Sequence, residues 1–251
     1  MNQIIGNTIV RIPSTDSTNN YANRQIRLGD LPEGTVFLTY EQLAGRGQMK
    51  NVWESESGKN LTFSMVFYPD FLEIHRQFML SKVVVLGIYK ALNKYVDQLK
   101  VKWPNDIYAG NRKLGGILIE NSIMSGLIKS SVVGIGLNVN QTIFRSEAPN
   151  PVSLQLLTNQ HFDCEVVLAE VLSKINSYYE LLLQEEFDRI DRDYVSALYR
   201  LNEKHLFRTE GEDFSGEIIG VNEIGQLLIR KENGEILEFH FKEVEFHIGN
   251  K

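Results

Sequence analysis

Residues 102–120, KWPNDIYAGNRKLGGILIE, decide how this chain is read. A Trp103-Pro104-Asn105-Asp106 turn interrupts a strand-like run, since proline lacks a ladder donor and Asn and Asp favour turns. The polar tip Gly110-Asn111-Arg112-Lys113 reverses the chain, and Leu114-Gly115-Gly116-Ile117-Leu118-Ile119 resumes an apolar strand. Glycines inside a strand mark a bulge or a close approach by a ligand or another backbone. Lys113 immediately precedes them, so a flexible cation lies beside bare backbone, which suits an anionic ligand. The same residues also describe a plain hairpin with a basic tip, and the stretch alone does not separate the two.

Upstream, Asn7 to Ile12 reads as an opening strand. Ser14 to Asn19 then gathers small polar residues ahead of a helical pattern through Tyr21, Ala22, Ile26 and Leu28. Asp16 or Ser17 suits an N-cap, and the surplus hydroxyls and amides suit a ligand at a helix N-terminus. Thr35 to Gln42 alternates as a strand. The long loop after it carries Gly45-Arg46-Gly47, whose backbone can curl around an anion beside a guanidinium, although the P-loop spacing is absent. Leu61 to Tyr68 is another strand. A helix is expected over Glu73–Leu99, apolar all round from Val83 to Leu86 and so buried across a sheet.

Downstream, Ser131 to Asn140 is an apolar strand. Its Gly134-Ile135-Gly136 lacks the third glycine of a dinucleotide fingerprint. Asn138 and Asn140 share a face and either bond loops or read an adenine or sugar edge. Ser153 to Leu157 reads as a short helical turn, Asp163 opens an amphipathic helix, and an acidic helical continuation runs to about Tyr199. At Arg200–Lys204 the period shifts from 3.6 to 2, with Leu237, Phe239 and Phe241 alternating and Asn233-Gly234 as a hairpin turn. The chain thus divides into an α/β domain, 1–202, and a small antiparallel β-barrel of about five short strands, 203–251.

The chain has 251 residues, 43% hydrophobic and 23% charged, which supports a core of normal size without staples. A net charge of −6 argues against a general nucleic-acid or anionic-membrane binder. The single cysteine, Cys164, fits a reducing compartment; no signal peptide or membrane-spanning run is visible, and a cytoplasmic protein is expected. His75, His161, His205, His240 and His247 lack metal-ligand spacing, so no zinc site is expected. The remaining anion-directed groups are Arg46, Lys102 and Lys113, with Asp106 the one acid of the central stretch. They suit a reaction that brings two anions together, such as a carboxylate attacking a phosphate, with their repulsion offset by cations and Mg2+.

Taken in order, Ser17-Thr18-Asn19, Gln42 with Ala44-Gly45-Arg46-Gly47, Trp53, Lys102 to Asp106, Arg112 to Leu118 and Gly134 to Asn140 resemble the biotin–protein ligases. The resemblance implies a mixed sheet with helices packed on it, like class II aminoacyl-tRNA synthetases, followed by an SH3-like domain. It implies that biotin and ATP give biotinyl-5′-AMP and pyrophosphate, and that the acyl group passes to a lysine of a biotin carboxyl carrier protein. Ser17, Thr18, Asn19 and Gln42 would hold the biotin head group. The loop with Gly45, Arg46, Gly47 and Gln48 would close over biotin and adenylate, and Lys113 would contact carboxylate and α-phosphate. Trp53, Asn105 and Asn138 look like nucleotide-side residues, with Lys102, Gly115, Gly116 and Ile117 lining the ligand. Asp106 either orients or deprotonates the incoming lysine, or caps its turn.

Two departures stand out. Against the family pattern Gly-Arg-Gly-Arg-x-Gly-Arg-x-Trp, this chain has Gln48, Lys50 and Asn51 at the fourth, sixth and seventh places. Adenylate retention and loop closure are therefore expected to differ. The motifs also begin at Ser17, leaving no room for the helix-turn-helix of repressor relatives, so no DNA binding is expected. A homodimer and a monomer are both compatible with the sequence. The rival readings are a lipoate–protein ligase, related in fold and chemistry, and a non-catalytic biotin- or carrier-binding module.

Overall fold

The computed structural model describes residues 3–47, 51–145 and 150–248. Its first sheet comprises β1 (Ile9–Thr15), β2 (Val36–Gln42), β3 (Leu61–Phe67), β4 (Leu99–Lys102), β5 (Asp106–Ala109), β6 (Arg112–Met124) and β7 (Leu127–Leu137). The spatial order is β1-β2-β3-β7-β6-β5-β4. The β1–β2 pair is parallel and the other neighbours are antiparallel, so the sheet is mixed as expected.

The two faces of this sheet have different fates. Alternation sends Phe63, Met65, Phe67, Val133, Ile135 and Leu137 to one side, where α2 (Phe78–Leu92) and α4 (Cys164–Leu183) cover them. Val83 to Leu86 are wholly buried there, in keeping with a segment apolar on every side. On the other side α1 (Thr18–Leu28) covers one end of the sheet, packing Ala22 against Phe37, Val66 and Val132. The remainder of that face stays open.

Several boundaries differ from the sequence reading. The long helix expected to reach Leu99 ends at Leu92, and Leu99 opens β4 instead. Polar Asn93, Lys94, Asp97 and Gln98 interrupt its apolar pattern, and Gln98 adopts a left-handed φ of 62° that turns the chain into the strand. The acidic continuation is a separate helix, α5 (Phe187–Ala197), while the short turn is α3 (Leu154–Thr158), capped by the Ser153 side chain.

The second sheet contains β8 (Lys204–Thr209), β9 (Glu212–Val221), β10 (Leu227–Lys231), β11 (Ile236–Phe239) and β12 (Glu245–Phe246), in the order β11-β10-β9-β8-β12. Among the described residues no β11–β12 pairing closes it, so it is an open antiparallel sheet rather than the expected closed barrel. β12 spans two residues and pairs with β8. The chain before it turns towards the first sheet, setting Phe241 against Trp103 at 6.2 Å between ring centroids. That detour breaks the alternation expected from Leu237 through Phe241. The Trp103 indole N–H also donates to Gly225 O at 2.9 Å, and Leu201 bridges Ile218, so the sheets are joined by hydrogen bonds as well as packing.

Gly87 sets how closely α2 and α4 approach: a Cβ there would lie 2.6 Å from Ile175 Cα and 2.7 Å from its backbone nitrogen. Gly87→Ala is expected to cost roughly 1–3 kcal/mol of stability. Urea denaturation checks this, and an unchanged midpoint would refute the close-packing account.

Candidate active site

The hairpin that opens the sequence reading holds its cation by a shift in register. Asp106 faces Gly116 and Ile107 faces Gly115, but Tyr108 faces Lys113, so β6 carries one extra residue, Leu114. Lys113 and Gly116 are three apart and would point to opposite faces of a regular strand. The bulge reverses that parity and brings Lys113 onto the face of Asp106 and Gly116. Lys113 Nζ then lies 2.8 Å from Asp106 Oδ1. A Cβ on Gly116 would sit 3.0 Å from Asp106 Oδ1 and 3.2 Å from Lys113 Nζ, so the pair lies directly across bare backbone. The Lys113 backbone is anchored by Asn150 O and Val152 N, both at 2.9 Å.

On this open face β6 and β7 present Gly116, Gly134 and Gly136, which form the floor of a cavity of about 930 Å3. The cavity extends from α1 to the second sheet. Asn19 rests on Gly134, where a Cβ would come within 2.3 Å of its Oδ1, and the Trp53 ring rests on Gly136. Against the floor stands a polar shelf. Gln42 Oε1 accepts from Thr18 N at 2.9 Å and Thr18 Oγ1 at 3.3 Å, and Ser64 Oγ lies 2.7 Å from both Thr18 Oγ1 and Asn19 Oδ1. Asn19 Nδ2 donates to Glu120 Oε2 at 2.9 Å. Ser17 occupies the N-cap of α1 without a side-chain cap bond, and Gln42 takes the Thr18 amide instead. The Asp16 carboxylate is held far below its usual range by Arg24, a commitment that keeps it out of the cap.

The Gly-Arg-Gly loop crosses above the shelf. Trp53 N donates to Gly45 O at 3.0 Å, Gly47 N to Asn51 O at 2.7 Å, and Arg46 bridges Val52. A Cβ on Gly45 would meet Trp53 O at 2.2 Å, so this glycine permits the loop to fold back on itself. The Arg46 guanidinium is paired with Glu120 at 2.9 Å. The Trp53 indole N–H is buried with no hydrogen-bond partner, a donor that a ligand acceptor would satisfy.

At the far end, burial lowers the Lys102 pKa, opposed by the nearby Asp106 carboxylate and reinforced by Lys113 and Arg200. Its ammonium lies 4.4 Å from the Phe246 ring centroid and 5.6 Å from that of Tyr108. Phe241, Lys242, Val244, Glu245 and Phe246 all line the cavity, so the second sheet forms part of its wall. Sequence reasoning missed this contribution. The aromatic spacing of the tail was visible, but not the fold-back that carries it to Trp103.

Of the residues singled out from sequence, Ser17, Thr18, Asn19, Gln42, Arg46, Gly47 and Trp53 line the cavity. So do Lys102, Asn105, Asp106, Lys113, Gly116 and Ile117. Three do not. Gly45 is buried in the loop hinge, and Gly115 points to the opposite face, where a Cβ would meet Gly136 O at 2.9 Å. Asn138 lies behind the cavity, its Nδ2 donating to Val152 O at 3.0 Å and its Oδ1 unpartnered. Asn140 bonds Phe162 through both amide atoms, so that amide holds a loop. Gln48 and Lys50 lie outside the described residues.

The model of the biotin/lipoate A/B protein ligase family matches residues 11–138. The bifunctional ligase/repressor BirA of Bacillus subtilis is 29% identical over 238 residues, covering 92% of this chain and 72% of that one. The biotin–[acetyl-CoA-carboxylase] ligase of Paracoccus denitrificans is 30% identical, covering 86% and 91%. Among solved structures, the biotin protein ligase from Aquifex aeolicus in complex with biotin and ATP superposes with a TM-score of 0.80 at 26% identity, over 97% of this chain and 100% of that one. With more than half of the chain under the family model and near-complete coverage by its members, the chain belongs to the biotin/lipoate A/B protein ligase family.

Proposed function

We propose that the protein is an ATP-dependent biotin–protein ligase. It joins biotin to ATP as biotinyl-5′-AMP, then transfers the biotinyl group to a lysine of a biotin carboxyl carrier protein. The observation that carries this reading is the Lys113–Asp106 pair across Gly116, set beside the shelf of Thr18, Asn19 and Gln42. The shelf offers donors and acceptors to a small head group that has both, such as the biotin ureido ring. Lys113 stands where a carboxylate and an α-phosphate would meet, and a fixed cation there offsets their repulsion as charge develops. Asp106, its partner at 2.8 Å, would orient an incoming lysine amine.

Among the described residues no group of three or more His, Cys, Asp or Glu side chains is placed to hold a metal. Mg2+ would accompany ATP as part of that substrate, its charge offsetting that of the phosphates. The single cysteine, Cys164, has no partner within the chain for a disulfide, in line with a reducing, cytoplasmic setting. No helix among the described residues is long and apolar enough to cross a membrane.

Incubation with ATP, Mg2+, biotin and an acceptor domain, followed by mass spectrometry, is expected to show one biotinyl group on one lysine. Lipoylation without biotinylation would move the assignment to the lipoate branch of the family. Carrier binding without any transfer would make it a non-catalytic module. Lys113→Ala is expected to slow biotin-dependent pyrophosphate release by about 10²–10³-fold. Its thermal melting should stay close to that of the parent, because the pair is partly exposed and such pairs add about 0–1 kcal/mol. Unchanged pyrophosphate release would refute the role given to Lys113.

A further inference from the structure

One buried side chain outside the cavity joins two parts of the site. Gln141 is 1% exposed and uses its whole amide. Its Oε1 accepts from Glu56 N at 2.9 Å and from Asn60 Nδ2 at 2.5 Å. Its Nε2 donates to Glu54 Oε1 at 3.1 Å and to Ile143 O at 2.9 Å. Asn60 continues the network: its Oδ1 accepts from Val139 N at 3.0 Å, and its Nδ2 donates to Ser55 Oγ at 3.3 Å. Asn140 N donates to Lys59 O at 2.7 Å, and the Glu54 carboxylate accepts from Arg145 N at 3.0 Å. Residues 54–60 are therefore fastened along residues 139–145. None of Gln141, Asn60 and Glu54 lines the cavity.

Each of the fastened stretches leads to a working part of the cavity. Residues 54–60 begin directly after Trp53, whose ring rests on Gly136 and whose indole N–H is buried without a partner. The stretch that holds Gln141 is clasped to the bulge of β6 on both sides. Before it, Asn138 N donates to Leu114 O at 2.9 Å. After it, Lys113 N donates to Asn150 O and Val152 N to Lys113 O, both at 2.9 Å. Gln141 thus stands between the leg of the Gly-Arg-Gly loop and the strand that carries Lys113. A buried amide with every donor and acceptor satisfied fixes one arrangement, because a slip would leave polar groups unpaired in the core. We infer that Gln141 is a positioning residue for the reaction, holding Trp53 in a fixed place relative to Lys113 through Glu54, Glu56 and Asn60. It touches no reactant and acts through the seat it gives Trp53. This inference rests on the ligase reading above.

The test is a double-mutant cycle between Gln141→Leu and Trp53→Phe, read as kcat/KM for ATP in biotin-dependent pyrophosphate release. Gln141→Leu keeps the bulk and removes all four hydrogen bonds. It is expected to lower kcat/KM by about ten- to a hundredfold, as misplacement of a site group does. In the Trp53→Phe background the same change should cost less than about threefold, because residues that act as one unit are not additive. A loss of equal size in both backgrounds would leave Gln141 a fold residue only and overturn the inference. Should Gln141→Leu fail to fold, an exchange pair carries the test. Gln141→Glu retains both accepted bonds but sets a carboxylate against Glu54, and adding Glu54→Gln restores a donor between them. The pair is expected to recover most of what Gln141→Glu alone loses, and no recovery would also overturn the inference. Tryptophan emission needs no turnover: it should move to longer wavelength in Gln141→Leu and hardly at all once Trp53→Phe is present. If the parent releases no pyrophosphate with biotin, the ligase reading itself falls. The emission shift then still decides whether Gln141 seats Trp53, and unchanged emission would say that it does not.

Discussion

The absence of side chains along one face of β6 and β7 is the constraint on which the site depends. Sheets bury or solvate their faces with side chains, and here Gly116, Gly134 and Gly136 leave a hollow where α1 stops covering the sheet. Every neighbouring group uses that hollow. Asn19 leans onto one glycine, Trp53 onto another, and the Lys113–Asp106 pair spans the third. The helices on the opposite face make this affordable: the layer of α2 and α4 supplies the burial that the open face forgoes.

Much of the site was legible because it is local. Ser17 to Asn19 read as a surplus of polar groups before a helix, Gly45 to Gly47 as a curled loop, and Lys113 as a cation beside glycines. Residue type and near neighbours decide those features. Which glycine faces the ligand was not legible. Gly115 and Gly116 look equivalent in sequence; alternation sends them to opposite faces, and only the extra residue at Leu114 puts Lys113 on the side of Gly116. Asn138 presents the same difficulty, since an amide at a strand end serves a loop or a ligand equally well. Here the side-chain nitrogen serves the loop, donating to Val152 O, while its Oδ1 is left unpartnered. The end of the long helix at Leu92 and the open second sheet depended on where the chain goes next, which periodicity does not encode.

The second sheet is tied to the first at the turn that organises the hairpin. Trp103 donates to Gly225 O, the Tyr194 hydroxyl donates to Pro104 O at 2.8 Å, and Tyr199 N donates to Val101 O at 2.9 Å. Tyr194 is fully buried and Tyr199 nearly so, which makes these bonds strong in effect because their loss would strand polar groups in the core. The turn that carries Asn105 and Asp106 is thus gripped from three elements. A rigid turn on a rigid sheet preorganises the ion pair it presents.

The pairing of Arg46 with Glu120 is weakly held. Both side chains remain about a third or more exposed, at 40% and 32%, and such pairs are worth about 0–1 kcal/mol. Glu120 is not left alone when Arg46 departs, because Asn19 still donates to it at 2.9 Å and Asn23 at 3.4 Å. The guanidinium can therefore exchange one anion for another at little cost on either side. An incoming anion or added salt therefore competes with the resting contact of Arg46 on nearly equal terms.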